Sequence, residues 1–426
     1  MKTIIFTISM MLCSAVCMFA QPSQTLYTVV VEPDKADWIY RTGEEAAFRI
    51  YVTKNKTPLS NITVEYEYGP EAMPAVKKAT LEIKNASAGL KVPGLKSPGF
   101  QTVRATFRID GKAYSSYTNI GYEPEKIQPT QTMPADFREF WDKAKADAAG
   151  VPLEPLLTLQ PALCTPALNV YHVRFQNHAR GSYIYGMLCV PKKPGKYPAV
   201  LQVPGAGLHS FSGYKSLAEK GVITLEIGIH GIPVNLPQQV YSDLASTALN
   251  GYAQYNADNR DRYYFKRVFI GCHRAIDFLY TLDEFDGENL AVTGGSQGGA
   301  LAIVTAALDA RVKCFASRHP GMCDLSGFMN GRPGGWPSLR NNPNIHLQLE
   351  TAQYYDVVNF ARILKTPGYY TWGFNDTACY PTTTFSAYNA VTAEKTLKVY
   401  TETAHWHFPE QHAEFENWVL DKLGVR

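Results

Sequence analysis

Apolar and polar residues alternate through the first hundred or so residues of this chain of 426 residues. Phe48, Ile50 and Val52 alternate with polar neighbours, and the same period of two recurs over residues 62–68. That period is typical of a β-strand with one buried face. Asp110-Gly111 predicts a tight hairpin between two such strands. About seven short strands in this stretch predict an immunoglobulin-like β-sandwich over residues 22–122.

The pattern changes after residue 122. Residues 123–134 contain three prolines and almost no periodicity, which is typical of a linker. An amphipathic helix is then expected, with Phe137, Phe140 and Trp141 on one face. Strands alternate with helices from there on, which predicts a doubly wound, mostly parallel α/β sheet over residues 135–426. The strands are expected at 170–175, 184–190, 199–203, 223–227, 290–293, 369–374 and 397–401, and a long helix at 265–279.

The N-terminus has the pattern of a secretory signal peptide over residues 1–20. Lys2 precedes an apolar stretch, and cleavage is expected after Ala20. A lipid anchor on Cys17 is an alternative, but Val16 directly before it fits that signal poorly. No later part of the sequence is apolar enough to span a bilayer. We therefore expect an exported, soluble protein of the periplasm or the extracellular space.

Composition adds little to this picture. Hydrophobic residues make up 45% and charged residues 19%, as in an ordinary globular protein. The net charge of +3 gives no reason to expect nucleic acid as a partner. The six cysteines after the signal region match no zinc pattern, so no metal is predicted, and the sequence leaves any disulfide pairing open.

The most informative motif is Gly-Gly-Ser-Gln-Gly at residues 294–298. It follows a short apolar strand pattern and precedes a helical run of small residues. This is the arrangement of a nucleophile elbow, where the turn is so tight that the residues flanking the serine must be small. We predict Ser296 as the nucleophile, with the backbone N–H of Gln297 as one oxyanion donor.

A serine at neutral pH needs a histidine base, and the histidine needs a carboxylate to fix its tautomer. In this fold class both follow the serine, the acid first, on loops after later strands. Asp376 follows the predicted strand 369–374 and is the predicted acid. His405 is favoured as the base over His407, with His412 as a third candidate, because it comes first after the last strand.

A second oxyanion donor is expected from the loop after the strand 199–203. There the chain reads Pro-Gly-Ala-Gly, and the two glycines allow the backbone to approach a substrate closely. Gly205 or Ala206 is the predicted donor.

Several of these segments resemble the acetyl xylan esterase and cephalosporin C deacetylase family, which is carbohydrate esterase family seven. They include the elbow, the segment from Gly373 to Pro381 with its Asp-x-x-Cys-x-Pro pattern, and Tyr400 ahead of His405. The resemblance covers about residues 133–426. It implies an α/β-hydrolase fold and cofactor-free, metal-independent hydrolysis of acetyl esters on sugars, with Ser296, Asp376 and His405 in the catalytic roles. The chain departs from the family at Ala206, where a tyrosine is usual, and in its N-terminal sandwich.

The expected function is thus that of an exported serine esterase acting on acetylated carbohydrate such as acetylated xylan. Two other functions stay open: a serine peptidase on the same scaffold, and a non-catalytic carbohydrate-binding protein. The acyl group, the glycan and the oligomeric state cannot be read from the sequence.

Overall fold

A computed structural model describes residues 25–339 and 344–425. The predicted signal peptide and Cys17 lie outside these residues. Among the described residues, no helix has the length and apolarity needed to cross a membrane.

The N-terminal part consists of two sheets packed face to face. One sheet pairs β1 with β3 and β3 with both β4 and β7, and the other has the order β2-β9-β8-β5-β6. The strands are β1 (Tyr27–Pro33), β2 (Ile39–Tyr40), β3 (Ala46–Lys54), β4 (Thr57–Pro58), β5 (Ile62–Pro70), β6 (Lys77–Ile83), β7 (Ala88–Val92), β8 (Gly99–Ile109) and β9 (Lys112–Tyr122).

Alternate residues of these strands form the core of the sandwich. Phe48, Ile50 and Val52 on β3 are buried and pack with Val103 and Ala105 of the opposite sheet. The predicted hairpin joins β8 to β9. Both of its turn residues have positive φ, 49° at Asp110 and 71° at Gly111, as a type I′ turn requires.

The larger part of the chain is built on a nine-stranded sheet with the order β10-β11-β12-β14-β13-β15-β16-β17-β18. The three pairings from β10 to β14 are antiparallel, and the other five are parallel. The strands are β10 (Leu156–Leu159), β11 (Leu168–Gln176), β12 (Tyr183–Pro191), β13 (Tyr197–Val203), β14 (Ile223–Gly228), β15 (Phe285–Gly295), β16 (Cys314–Arg318), β17 (Gly368–Trp372) and β18 (Lys395–Val399).

Helices cover both faces of this sheet. Successive strand residues point to opposite faces, so Leu201 and Val292 join one buried cluster while Val200 and Ala291 join another. The helices are α1 (Phe137–Ala149), α2 (Lys215–Ala218), α3 (Gln238–Ser246), α4 (Tyr264–Leu279), α5 (Gln297–Leu308), α6 (Ile345–Tyr355), α7 (Val357–Ile363), α8 (Pro381–Ala390) and α9 (Pro409–Lys422). Short 3-10 turns lie at Pro124–Lys126, Pro161–Leu163, Tyr252–Gln254 and Gly327–Asn330.

This architecture confirms the doubly wound α/β prediction and every strand that the pattern indicated. Some boundaries differ. The strand expected at 369–374 ends at Trp372, the one expected at 397–401 is Lys395–Val399, and the one expected at 290–293 is Phe285–Gly295. Gly373, directly after β17, has no room for a side chain, because a Cβ there would overlap the Thr403 backbone. The strand β16 was not predicted, since its short apolar run of Cys, Phe and Ala carries no β-branched residue.

Candidate active site

Ser296 lies at the turn between β15 and α5, with φ of 60° and ψ of −124°. This positive φ is unusual for a residue with a side chain and is characteristic of strained functional turns. The glycines explain why the turn can close. A Cβ on Gly294 would overlap the Gly298 backbone, and a Cβ on Gly298 would overlap the Val203 carbonyl at the end of β13.

The last residue of β16 and the segment after it hydrogen-bond to the N–H and the carbonyl of Ser296. Ser296 N–H donates to the Arg318 carbonyl at 2.8 Å, and Gly321 N–H donates to the Ser296 carbonyl at 3.0 Å. The strand β16, which was not predicted, therefore helps to hold the strained turn.

The structure brings the three predicted catalytic side chains together. His405 Nε2 lies 3.0 Å from Ser296 Oγ, and His405 Nδ1 lies 2.8 Å from Asp376 Oδ2. A carboxylate can only accept, so Nδ1 carries the proton and Nε2 is left to accept the serine proton. This is the geometry that a general base requires.

Asp376 is fully buried, while about a third of the His405 side chain is exposed. The other oxygen of Asp376 accepts the N–H groups of Ala378 and Cys379, both at 2.8 Å. Burial by itself raises the pKa of Asp376, but the interactions with His319 and His405 outweigh it and hold that pKa below its usual range. The acid is therefore ionised and oriented.

The two other candidate histidines lie elsewhere. The His407 ring packs 5.4 Å from the His412 ring, and burial lowers the pKa of His407 to about 4. His412 lies 3.3 Å from Glu416 and 3.1 Å from Arg318. Of the three histidines after β18, His405 is the one whose imidazole contacts Ser296.

Sequence reasoning missed a fourth histidine, which follows β16. His319 Nδ1 lies 3.3 Å from Asp376 Oδ2, and its ring centroid lies 5.4 Å from that of His405. Burial lowers the pKa of His319. His319 precedes Asp376 in the chain, so the expected order of serine, acid and base excluded it as a candidate base. The sequence signal that could have identified it is the strand β16 directly before it.

His319, Asp376 and His405 also place one ligand atom each within 4.8 Å of one another. They are thus the residues of the described chain that could hold a metal ion. In the contacts observed, however, both nitrogens of His405 are used, one toward Asp376 and one toward Ser296. This arrangement suits proton transfer from the serine.

The predicted oxyanion region lies where α5 begins. The first N–H groups of a helix have no partner inside it, and Gln297 is the first residue of α5. A Cβ on Gly321 would lie 3.8 Å from the Gln297 nitrogen and 3.4 Å from the Trp336 ring. Gly321 therefore lies near both the Gln297 nitrogen and the Trp336 ring.

The buried Gln297 side chain ties the second oxyanion loop to the elbow. Its amide donates to the carbonyls of Gly205 at 3.1 Å and Pro204 at 3.3 Å. Ala206, next in the loop, is exposed. Two residues that the sequence did not point to brace this loop: Tyr252 contacts Gln297 and Gly207, and His230 Nε2 lies 3.0 Å from the Gly207 carbonyl.

Comparisons with known proteins show the family of this chain. The model of the acetyl xylan esterase family (AXE1) matches residues 122–333 and 337–422. The chain belongs to the acetyl xylan esterase family. It is also 37% identical to the acetyl esterase Axe7A of Xylanibacter ruminicola over 433 residues, which cover 99% of this chain and 97% of that protein.

Solved acetyl xylan esterases share the fold. One from Paenibacillus sp. R4 superposes with a TM-score of 0.60 at 26% identity, covering 70% of this chain and 98% of its own. Acetyl xylan esterase 1 from Thermoanaerobacterium sp. JW/SL YS485 has a TM-score of 0.58 at 22% identity, with the same coverage. This acetyl xylan esterase family member is thus a carboxylic ester hydrolase with an α/β-hydrolase fold.

Proposed function

We propose that this chain is a serine esterase that removes acetyl groups from carbohydrate, with Ser296 as nucleophile, His405 as base and Asp376 as the acid that orients it. The single observation that carries the proposal is the position of the His405 imidazole, between Ser296 Oγ at 3.0 Å and Asp376 Oδ2 at 2.8 Å. Family membership supports the acetyl ester as the bond that is cleaved.

In the proposed first step, Ser296 Oγ attacks the acetyl carbonyl carbon while His405 Nε2 takes the serine proton. The carbonyl oxygen becomes an oxyanion, which the Gln297 N–H and an N–H of Gly205 or Ala206 stabilise. His405 then gives the proton to the departing sugar oxygen, leaving acetyl-Ser296. Water, deprotonated by His405, releases acetate and restores the serine.

No cofactor and no metal enters this mechanism. Dialysis against EDTA is expected to leave the activity unchanged, and loss of activity that Zn²⁺ restores would instead assign His319, Asp376 and His405 to a metal.

The proposed substrate is an acetylated plant polysaccharide or oligosaccharide such as acetylated xylan. About a third of the His405 side chain is exposed and Trp406 is exposed, which supports a site at an open surface that a polymer can reach. We further propose export by a signal peptide at residues 1–20, and a division into a sandwich at 22–122, a linker at 123–134 and a catalytic domain at 135–426.

The test is Ser296→Ala, assayed on a chromogenic acetate ester and by acetate release from acetylated xylan, pectin and mannan. Loss of the nucleophile is expected to lower kcat by several powers of ten, roughly 10⁴- to 10⁶-fold. The matched control is Ser246→Ala, whose hydroxyl bonds only its own helix at the surface. Undiminished turnover by Ser296→Ala overturns the assignment. Dipeptide release without acetate release favours a peptidase, and glycan binding without either favours a binding protein.

A further inference from the structure

The N-terminal sandwich contacts the loop that carries Asp376. Strand β9 donates three hydrogen bonds to the two residues that precede this acid. Asn119 Nδ2 donates to the Phe374 carbonyl at 2.8 Å, and Asn119 N–H donates to Asn375 Oδ1 at 2.9 Å. The Tyr117 hydroxyl donates to the Asn375 carbonyl at 2.9 Å. The backbone leading to the acid is therefore held from the sandwich side.

The same loop is tied to the segment that leads to His405. Asn375 N–H donates to the Thr403 carbonyl at 3.1 Å, and its side-chain amide donates to the Glu402 carbonyl at 3.2 Å. Asn375 thus lies between β9 on one side and the histidine segment on the other. Contacts from the sandwich to Asn375 therefore affect the distance between Asp376 and His405.

Other contacts in the sandwich hold Asn119 and Phe374 in place. Asn119 is 2% exposed, and its amide oxygen accepts the Thr102 hydroxyl at 2.6 Å, which sets the amide orientation. The ring of Phe100 in the sandwich packs edge-on against Phe374, with centroids 4.8 Å apart. Hydrogen bonds in such a dry setting are stronger than at a wet surface.

A carbohydrate-binding module on a tether does not need this arrangement. Interfaces between independent domains are more polar than obligate interfaces, and such domains usually move relative to each other. Here the three hydrogen bonds from β9 converge on the two residues before the acid, and a buried aromatic pair reinforces them.

We propose that Tyr117 and Asn119 are positioning residues, which hold Asp376 in reach of His405 through Phe374 and Asn375. The sandwich then completes the catalytic site. This inference rests on the proposed function, since it assigns the sandwich a part in the work of the same triad.

The test removes one hydroxyl from the intact protein. Tyr117→Phe keeps the ring over which Arg104 stacks but loses the bond to Asn375. The expected result is a kcat lowered about 10- to 100-fold on a small acetate ester, with KM and the melting temperature unchanged, because a small displacement of a catalytic group carries a cost of this size. The matched control is Tyr114→Phe, three residues earlier on the same strand and packed against Tyr27 within the sandwich. Equal kcat values for the two variants overturn the inference.

A double-variant cycle separates positioning from general stability. If Tyr117 acts through Asp376, adding Tyr117→Phe to Asp376→Asn lowers kcat no further. If the hydroxyl only stabilises the fold, the two losses multiply, and the inference is wrong. Asn119→Ala is expected to lose more activity than Tyr117→Phe; should it fail to fold, Tyr117→Phe still decides.

Failure of this positioning role can be distinguished from failure of the proposed esterase function. If activity survives Ser296→Ala, the proposed catalytic triad is wrong. If activity is lost in Ser296→Ala but unchanged in Tyr117→Phe, the proposed esterase function stands. Only the proposed positioning role of the sandwich is then wrong.

Discussion

The Tyr252 hydroxyl donates to the side-chain oxygen of Gln297 at 2.7 Å. The same hydroxyl accepts the Gly207 N–H at 3.3 Å, and the Gln297 amide donates to the Gly205 carbonyl. One buried phenol therefore links the serine elbow to the loop that is predicted to supply the second oxyanion donor. The spacing of the two proposed donors depends on it, because neither donor is a side chain that could adjust.

We expect Tyr252→Phe to lower kcat about tenfold while KM for a small acetate ester changes little, since the oxyanion forms only in the reaction. The loss also leaves the Gln297 oxygen and the Gly207 N–H without this partner, at a cost of about 1–3 kcal/mol in the free energy of unfolding. Steady-state kinetics and thermal melting measure the two effects. Tyr255→Phe is the matched control, because its hydroxyl bonds the carbonyls of Ala248 and Asn250 away from the elbow. A Tyr252→Phe variant that behaves like this control would show that the loop keeps its position unaided.

The three histidines after β18 can be separated by substitution. His405→Asn is expected to lower kcat by at least about 1,000-fold, as removal of a triad member does. His407→Asn and His412→Asn are expected to retain most of the activity, because their rings contact each other and not Ser296. Measuring kcat on one acetate ester for all three variants decides the base. A His407→Asn variant as inactive as His405→Asn contradicts the assignment.

His319 is expected to have an intermediate effect. Its Nδ1 lies 3.3 Å from Asp376, but it does not contact the serine hydroxyl. His319→Asn removes the ring and keeps a residue that tolerates the observed φ of 45°. We expect kcat to fall about tenfold, because Asp376 loses one of the two rings that favour its charge while His405 keeps its partner. A loss as large as that of His405→Asn would give His319 a direct part in the chemistry.

Local sequence chemistry was enough to place the elbow and to propose the order of its partners. A nucleophile turn needs small residues within a few positions of the serine, and the 294–298 segment shows them directly. The predicted base His405 and the predicted acid Asp376 follow strands whose apolar runs are visible in the sequence. The hairpin at 110–111 is of the same kind, since its turn residues alone specify it.

The residues that support the site through long-range hydrogen bonds could not be predicted from local sequence. Tyr252 and His230 contact the oxyanion loop from segments that carry no motif, and nothing local marks them as neighbours of that loop. Asn119 lies 255 positions before Phe374, its hydrogen-bond partner, in a part of the chain whose pattern indicates only a strand. Such partners are set by how the sheets pack, so they appear only once the fold is known.

Glu71 is another buried acid, and its pKa is shifted in the opposite direction from that of Asp376. It is 2% exposed and accepts the Thr382 N–H at 3.2 Å where α8 begins. Burial raises the pKa of Glu71 to about 8, against the lowering effect of the bond from Thr382. The folded protein therefore holds a neutral Glu71 at neutral pH.

The sign of the resulting pH dependence follows from the proton count. Below the ordinary pKa of about 4.5, Glu71 is protonated in both states and does not affect the pH dependence of folding. Between pH 4.5 and 8 the unfolded chain releases this proton and the folded one keeps it. The free energy of unfolding therefore falls as pH rises through this window, by up to about 1.4 kcal/mol per pH unit.

Glu71→Gln removes this titration while its amide oxygen can still accept the Thr382 N–H. We expect the variant to lose less stability than the wild type between pH 5 and pH 8, by on the order of 2 kcal/mol, in denaturant unfolding measured at each pH. Glu67→Gln, four residues earlier on β5, is the control, because its carboxylate is partly exposed and pairs with Lys78 at 2.8 Å. If the curves of wild type and Glu71→Gln run parallel, Glu71 is ionised in the folded protein at neutral pH, and its negative charge acts on Asp376.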